Sequence, residues 1–240
     1  MMHSSDCLVV IPTYNEVENI ARVIEGIRRY APELDVAVVD DGSTDGTASV
    51  AAEKGVKVIR LPFHMGYGTA VQTGYKYALR SGYRYVLQMD GDGQHEPKNI
   101  PDFLRELGED TADVVIGSRF LDPKGTRYRG PLLRRIGRVL FAAVTSFLIR
   151  QKVTDPTSGY IGLNRKALEY LSRDIYPVDY PDADVIVMLH RAGFRIKEIP
   201  VIMYENRSRG TLHRGMRPLY YIFKMSLSLF VTILRKPGEG

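Results

Sequence analysis

Tyr83 to Pro97 reads YRYVLQMDGDGQHEP. A short apolar run, Tyr83–Met89, stops at two aspartates separated by one glycine, Asp90 and Asp92. The run has strand length and strand composition, so it predicts a buried strand. In an extended chain residues i and i+2 point the same way, which turns both carboxylates toward one spot beyond the strand's end. Carboxylates that close repel unless a cation sits between them. Mg²⁺ is usually held by one or two carboxylates and completed by substrate phosphates. The stretch therefore reads as a strand that carries a diphosphate–metal site, with a solvated acidic turn as the alternative on spacing alone.

The same layout recurs on either side. Leu8–Ile11, Val36–Val39, Val56–Leu61 and Asp113–Ile116 read as further strands. Between them Val17–Arg29, Thr44–Lys54, Gly68–Arg80 and Pro97–Leu107 read as helices, the second with Ser43 as its N-cap. Short strands alternating with helices imply crossover units and a mostly parallel sheet covered on both faces. Ligands of such sheets bind beyond the carboxyl ends of the strands. Three polar, acid-bearing loops follow strands there: Pro12–Glu16, Asp40–Gly46 and Asp90–His95. Further on, Leu132–Ile149 and Asp182–Ala192 predict helices and Ile196–Met203 a strand. Leu219–Leu234 predicts a last helix, with Lys224, Ser228 and Thr232 as a thin polar stripe on an apolar cylinder.

With 240 residues, 44% hydrophobic and 25% charged, the chain suits one α/β domain with additions. The lone Cys7 excludes an intramolecular disulfide framework and a cysteine-rich zinc site. The net charge of +5 conceals a division. Residues 1–118 hold 11 Lys/Arg against 18 Asp/Glu, a net of −7, and residues 119–240 hold 22 against 10, a net of +12. An acidic half suits a metal; a basic half suits phosphates or an anionic membrane surface. A nucleic-acid binder fits poorly, because the acidic half repels DNA and no recognised binding motif is present. MMHSSD lacks the charge and apolar run of an export signal, so a cytosolic start is expected. No stretch reaches the roughly 20 apolar residues that span a bilayer.

Two other motifs fail on inspection. Asp41–Gly46 opens like a calcium loop, but its twelfth position is Ala52 rather than glutamate. Gly66-Tyr67-Gly68 begins a dinucleotide fingerprint whose third glycine is replaced by Val71.

VVIPTYNE (9–16), VDDGSTDGT (39–47), MDGDGQHEP (89–97), VIGSR (115–119) and DPTSGY (155–160) together resemble the inverting family 2 glycosyltransferases of the GT-A fold. More narrowly the chain resembles the polyprenyl-phosphate branch, which includes dolichol-phosphate mannose synthases and bacterial undecaprenyl-phosphate sugar transferases. The resemblance covers roughly residues 6–215. It implies a GT-A (Rossmann-like) α/β fold over 1–215, divided into a nucleotide-sugar half (1–118) and an acceptor half (119–215). Residues 216–240 would form an amphipathic, membrane-associating tail.

The resemblance also implies roles. Pro12, Tyr14 and Glu16 match the loop that holds base and ribose, and Asp40 and Asp41 the acidic pair that contacts the nucleoside. Asp90, Asp92 and Gln94 match a site for Mg²⁺ or Mn²⁺ on the sugar-nucleotide diphosphate. Arg119 and Arg134, with Arg135 adjacent, match phosphate-binding arginines. Asp155, Thr157, Ser158 and Gly159 match a segment near sugar and acceptor. His64 stands where the family often has asparagine. The run from Arg207 through Arg209 to His213 matches the family's late basic motif only loosely.

The implied reaction is metal-dependent transfer of a hexose from a UDP- or GDP-sugar to a polyprenyl phosphate, with UDP favoured. The diphosphate gains charge as the anomeric bond breaks, which a cation and arginines stabilise. A lipid phosphate already carries about −1.5 to −2 charge at pH 7 and needs no general base. Asp155 stays open as base, orienter or turn residue. Lying in the membrane interface suits the tail better than spanning it, which implies a peripheral enzyme at the cytoplasmic face. A small membrane-protein partner or a second copy would also cover its apolar faces. The alternatives are transfer to a hydroxyl acceptor in polysaccharide synthesis, nucleotidyl transfer, and a non-catalytic nucleic-acid or membrane-surface binder.

Overall fold

The computed structural model describes residues 6–121, 132–174, 176–177, 181–204, 227–228 and 231–232, with only the backbone described for 132–138. Seven strands form one sheet in the order β3-β2-β1-β4-β6-β5-β7. They are β1 (Cys7–Thr13), β2 (Asp35–Asp40), β3 (Lys57–Arg60), β4 (Tyr85–Gln88), β5 (Val114–Ser118), β6 (Ile161–Asn164) and β7 (Ile196–Pro200). The helices are α1 (Ile20–Tyr30), α2 (Thr47–Glu53), α3 (Tyr67–Arg80), α4 (Ile100–Gly108), α5 (Leu132–Ile149), α6 (Arg165–Leu171) and α7 (Ala183–Arg191). A 3₁₀ turn, Pro97–Asn99, leads into α4.

All pairings are parallel except those of β6, which runs antiparallel to both β4 and β5. The sequence reading placed neither β6 nor α6. Ile161-Gly162-Leu163-Asn164 is only four residues long, too short for periodicity to identify a strand there. The reversal matters for function. Gln88 at the end of β4 pairs with Ile161 at the start of β6, so the segment just before β6 reaches the sheet edge where the parallel strands end.

Strand side chains alternate between two cores. Leu8, Val10, Ala37, Val39 and Val86 pack with α3, α6 and α7 on one face. Cys7, Val9, Ile11, Val38 and Leu87 pack with α1 and α4 on the other. Helix α1 buries Ile20, Val23, Ile24 and Ile27, the stripe its spacing predicts. Ser43 does not cap α2. Gly46 precedes it in a left-handed turn (φ +97°), and Asp45 accepts the Thr47 N–H at 2.9 Å.

The second half exposes apolar side chains in a pattern. On α5, Phe141, Thr145 and Ile149 are buried, while Val139, Leu140, Val144 and Phe147 are exposed, Phe147 by 82%. The described tail residues are helical. Ser228 donates to the buried carboxylate of Asp184, and Arg191 on α7 donates to the Thr232 carbonyl at 2.5 Å. Leu227 and Val231 are exposed. Ser228 of the polar stripe thus faces α7, while Leu227 and Val231 face outward; Lys224 lies outside the described residues.

Helix α3 lies so close to β1 that a Cβ on Gly74 would sit 2.2 Å from Val10 Cγ1. Gly74→Ala should destabilise the fold by about 1–3 kcal/mol through overpacking, even though alanine is worth about 1 kcal/mol as a helix former. Urea denaturation measures the sum, and an unchanged or raised midpoint would contradict this packing.

Candidate active site

At the carboxyl edge of the sheet the β1 and β2 loops are stitched together. Asn15 N–H donates to Ser43 Oγ, Glu16 N–H to Thr47 Oγ1 and Val17 N–H to Asp45 Oδ2, at 2.8 to 3.1 Å. Asp40 is fully buried beneath the second loop. Its Oδ1 accepts the Ser43 N–H at 3.3 Å and its Oδ2 lies 3.2 Å from Arg60 Nε. Asp41, also buried, accepts the N–H groups of Met65 (2.7 Å) and Gly66 (2.9 Å) and pairs with His64 Nδ1 at 2.8 Å. Gly42 permits this approach. Its φ is +73°, and a Cβ there would fall 2.6 Å from the Phe63 carbonyl carbon. Asp41 is thus held by the protein's own backbone and by His64, while the buried Asp40 Oδ2 beside Arg60 accepts no hydrogen bond from the described residues. Pro12 is buried at the end of β1; Tyr14 is exposed and stacks on the His64 ring at 3.9 Å.

The Asp90–His95 loop crosses the middle of the same edge. Asp90 Oδ1 accepts the Tyr67 hydroxyl at 2.7 Å, and Asp90 N–H donates to His95 Nδ1 at 3.1 Å. A buried relay aims that tyrosine: Tyr75 OH donates to Gln88 Oε1, and Gln88 Nε2 donates to Tyr67 Oη at 2.9 Å and to the Gly159 carbonyl at 2.9 Å. Asp92 accepts from Gln94 twice, from its N–H at 2.9 Å and its side-chain amide at 2.6 Å. Gln94 thus orients Asp92 through a donor group. Burial raises the pKa of Asp90, offset in part by the Tyr67 hydrogen bond and the Arg119 charge. Burial raises Asp92 as well, and the Asp90 charge adds to it. Burial also raises Glu16, which feels both aspartates.

His95 is a fastener. It is buried, stacks on Tyr160 at 4.8 Å, and is depressed by burial to about 4, so it is neutral at neutral pH. Because Nδ1 accepts, the proton resides on Nε2, which faces Asp90 Oδ2 at 3.6 Å. Its loop is clipped to the segment after β7 by Tyr204 N–H donating to the Gln94 carbonyl at 2.9 Å.

The third wall comes from β5, β6 and β7. Arg119, just past β5, grips Asp155 with two parallel bonds, Nε to Oδ2 at 2.6 Å and Nη2 to Oδ1 at 2.7 Å. Its backbone N–H donates to the same carboxylate, and Nη2 reaches Thr157 Oγ1 at 3.2 Å. Asp155 is 0% exposed. Glu198 on β7 in turn accepts from Thr154 N–H, Thr154 Oγ1 and Asp155 N–H at 2.9 to 3.0 Å. This holds Gly159 against the aspartates: a Cβ there would come within 3.2 Å of both Asp90 carboxylate oxygens. Ser158 is buried and accepts the Tyr160 N–H at 3.3 Å.

The edge therefore brings together Tyr14, Glu16, Asp90, Asp92, Gln94, Arg119, Asp155, Thr157, Ser158 and Gly159. Arg134 and Arg135 lie in the first turn of α5, where only backbone is described. Arg207, Arg209 and His213 fall outside the described residues. Sequence reasoning missed Tyr67, Gln88 and Glu198. Gln88 alone carried a signal, as the single polar residue in the buried run YVLQM.

Comparison with known proteins gives a consistent pattern. The family described as "Glycosyl transferase family 2" matches residues 8–172. The polyprenol monophosphomannose synthase of Mycolicibacterium smegmatis is 33% identical over 208 residues, covering 82% of this chain and 77% of that protein. The undecaprenyl-phosphate mannosyltransferase of Micrococcus luteus is 33% identical over 205 residues, covering 82% and 83%. Among solved structures, the glucosyl-3-phosphoglycerate synthase of Mycobacterium tuberculosis, in complex with Mn²⁺ and UDP-glucose, superposes with a TM-score of 0.69 at 22% identity, covering 94% of this chain and 79% of that one. That likeness shows the GT-A fold.

Two outcomes test the site. Asp155→Asn leaves Arg119 with an uncompensated partner and should cost about 3–5 kcal/mol of stability, read by urea denaturation; a loss near zero would mean that the pair is not closed in solution. His95 takes up its proton near 6.5 when unfolded and near 4 when folded. Its contribution to stability is therefore full above about pH 6.5 and falls as the pH drops toward 4, by about 3 kcal/mol at most. Between about pH 7 and pH 5 the wild type should lose more stability than His95→Asn, and equal losses would contradict a neutral, buried ring.

Proposed function

Because the chain belongs to glycosyltransferase family 2, we propose that it transfers a hexose from a nucleotide-sugar to a polyprenyl monophosphate, with inversion at the anomeric carbon. The observation that carries this reading is the 33% identity to two polyprenyl-phosphate mannosyltransferases over four-fifths of the chain. The site supports it.

Asp90 and Asp92 form an all-oxygen donor pair whose mutual repulsion a divalent cation relieves, which fits Mg²⁺ or Mn²⁺. Two carboxylates leave room for substrate phosphates to complete the coordination of such a cation. Bound there, the cation would neutralise charge on the departing nucleoside diphosphate. Gln94 fixes the Asp92 carboxylate, and Tyr67 fixes that of Asp90. Arg119 supplies positive potential beside Asp90, with Arg134 and Arg135 on α5 as further phosphate ligands.

The pairing of Asp155 supports this choice of acceptor. A hydroxyl acceptor needs a general base, and Asp155 is locked in a two-pronged pair with Arg119. A phosphate monoester is already an anion and needs orientation alone. We therefore assign Asp155 to positioning Arg119 and Thr157, and leave deprotonation out of the reaction.

Acceptor access would come through the membrane interface. No helix among the described residues is long and apolar enough to cross a bilayer. The outward faces of α5 and of the tail expose Leu140, Val144, Phe147, Leu227 and Val231, an arrangement suited to lying in the head-group region with the site toward the lipid phosphate. This geometry fits a peripheral position on the membrane, which we place at the cytoplasmic leaflet.

The test is a radiolabelled transfer assay with membranes, Mg²⁺ or Mn²⁺, undecaprenyl phosphate and a panel of UDP- and GDP-sugars. Label should enter an organic-extractable lipid and be lost with chelator or in Asp92→Ala. Metal-dependent donor hydrolysis with no labelled lipid would move the acceptor to a hydroxyl and overturn the lipid-phosphate reading.

A further inference from the structure

Gln88 is 1% exposed and ends β4, two residues before Asp90. A buried amide is costly unless its hydrogen-bonding groups are used. Here they are, by partners 21 and 71 residues away in the chain. Nε2 donates to Tyr67 Oη and to the Gly159 carbonyl, both at 2.9 Å, and Oε1 accepts from the Tyr75 hydroxyl. Chemistry dictates this orientation of the amide. Tyr67 gives its own proton to Asp90 Oδ1 at 2.7 Å, so its oxygen is left to accept, and the Gly159 carbonyl can only accept. Tyr75, 0% exposed and edge-on to Tyr176 at 5.7 Å, supplies the donor that holds the amide oxygen on the opposite side.

The two N–H groups reach different halves of the reaction. One acts through Tyr67 on Asp90, a carboxylate assigned above to the cation and the diphosphate. The other holds Gly159, in the segment whose Asp155 and Thr157 grip Arg119. Both targets lie in one packed layer. A Cβ on Gly159 would come within 2.8 Å of Tyr67 Oη and 3.1 Å of Asp90 Oδ2. A single rigid side chain beneath that layer therefore sets the spacing between the carboxylate and the segment.

We propose that Gln88 is a positioning residue that ties the cation site to the acceptor segment, so that the anomeric carbon and the attacking phosphate oxygen meet at reacting distance. It touches neither. Its effect is to favour transfer over hydrolysis of the donor. In hydrolysis a water oxygen bonds to the anomeric carbon, the bond to the diphosphate breaks, and the water's proton goes to solvent. Water is small and reaches that carbon wherever the segment stands, whereas a lipid phosphate has to be aligned, and a misplacement of about 1 Å costs about 100-fold in rate. This assignment rests on the lipid-phosphate reading given above and adds to it the residue that registers donor against acceptor.

The test uses the full chain, membranes, undecaprenyl phosphate and the labelled nucleotide-sugar that the wild type uses. Label in lipid and label released as free sugar are counted separately. On the same proteins, Mn²⁺ affinity in the presence of UDP or GDP is read by paramagnetic resonance. Gln88→Met keeps the length and loses all three hydrogen bonds. It should lower kcat for lipid transfer about 100-fold, lower donor hydrolysis far less, and weaken Mn²⁺ binding about 10-fold. Tyr67→Phe cuts only the branch to Asp90, so Mn²⁺ binding should weaken by a similar factor while the ratio of lipid to free sugar stays near wild type. Gln88→Glu keeps the shape but offers at most one O–H donor. It can serve one branch only and should lose at least one of the two readouts, and it carries the test should Gln88→Met fail to fold. A folded Gln88 variant with wild-type ratio and wild-type Mn²⁺ affinity, altered only in melting temperature, would overturn the assignment and leave Gln88 a core polar group. Equal falls in transfer and hydrolysis would also overturn it, since they mark damage to the donor site alone. A wild type that hydrolyses the donor and labels no lipid would overturn the lipid-phosphate reading, and this assignment with it.

Discussion

Two carboxylates two residues apart at the end of a buried strand repel each other, and the chain holds them there instead of letting them swing into water. Asp90 is fixed by Tyr67 and by its own N–H on His95, and Asp92 by both donors of Gln94. The buried Tyr75–Gln88 pair sets the direction of Tyr67. These contacts fix positions without supplying a cation, so burial disfavours the charged form of both groups and raises them above their ordinary range, a penalty that a bound cation removes. A site that concentrates negative charge in advance has its affinity set for a cation carrying anionic oxygens of its own. Precise support from neighbouring hydrogen bonds is what such a site requires.

The fold provides the support through one topological reversal. A wholly parallel sheet would send the chain before β6 to the far edge. Because β6 runs antiparallel between β4 and β5, residues 155–160 arrive at the edge where Asp90 and Asp92 stand. Glu198 on β7 grips the start of that segment, Arg119 grips Asp155, and Gly159 has no side chain to press on Asp90. Acidic and basic halves of the sequence thus meet at one line. The acidic loops come from the ends of β1, β2 and β4, and Arg119 follows β5.

Much of this was legible in the sequence. The strands β1 to β5 and helices α1 to α5 announce themselves through apolar runs and through spacing such as Ile20, Val23, Ile24 and Ile27. The Asp90–Asp92 pair was legible because strand geometry alone sets the direction of alternate side chains. What was hidden depends on contacts distant in the chain. Asp41 accepts N–H groups 24 and 25 residues later, an approach that requires Gly42. Arg119 and Asp155 are 36 residues apart and Asp155 and Glu198 are 43 apart, and no local pattern records either pairing. The strand β6 was missed because four residues hold too little periodicity to distinguish a strand from a loop. In the tail the stripe of Ser228 and Thr232 was visible, but that Ser228 turns toward α7 and leaves Leu227 and Val231 outside follows only from packing.

The central claim is that Asp90 and Asp92 are half of a cation site whose other half is the donor's diphosphate. Titration of Mn²⁺, followed by its paramagnetic resonance signal, with and without saturating UDP or GDP tests this directly. The account predicts weak Mn²⁺ binding to the protein alone, an increase of about 10-fold or more with the nucleotide, and loss of that increase in Asp90→Asn. Equally tight Mn²⁺ binding with and without nucleotide, or an increase that survives in Asp90→Asn, would contradict it.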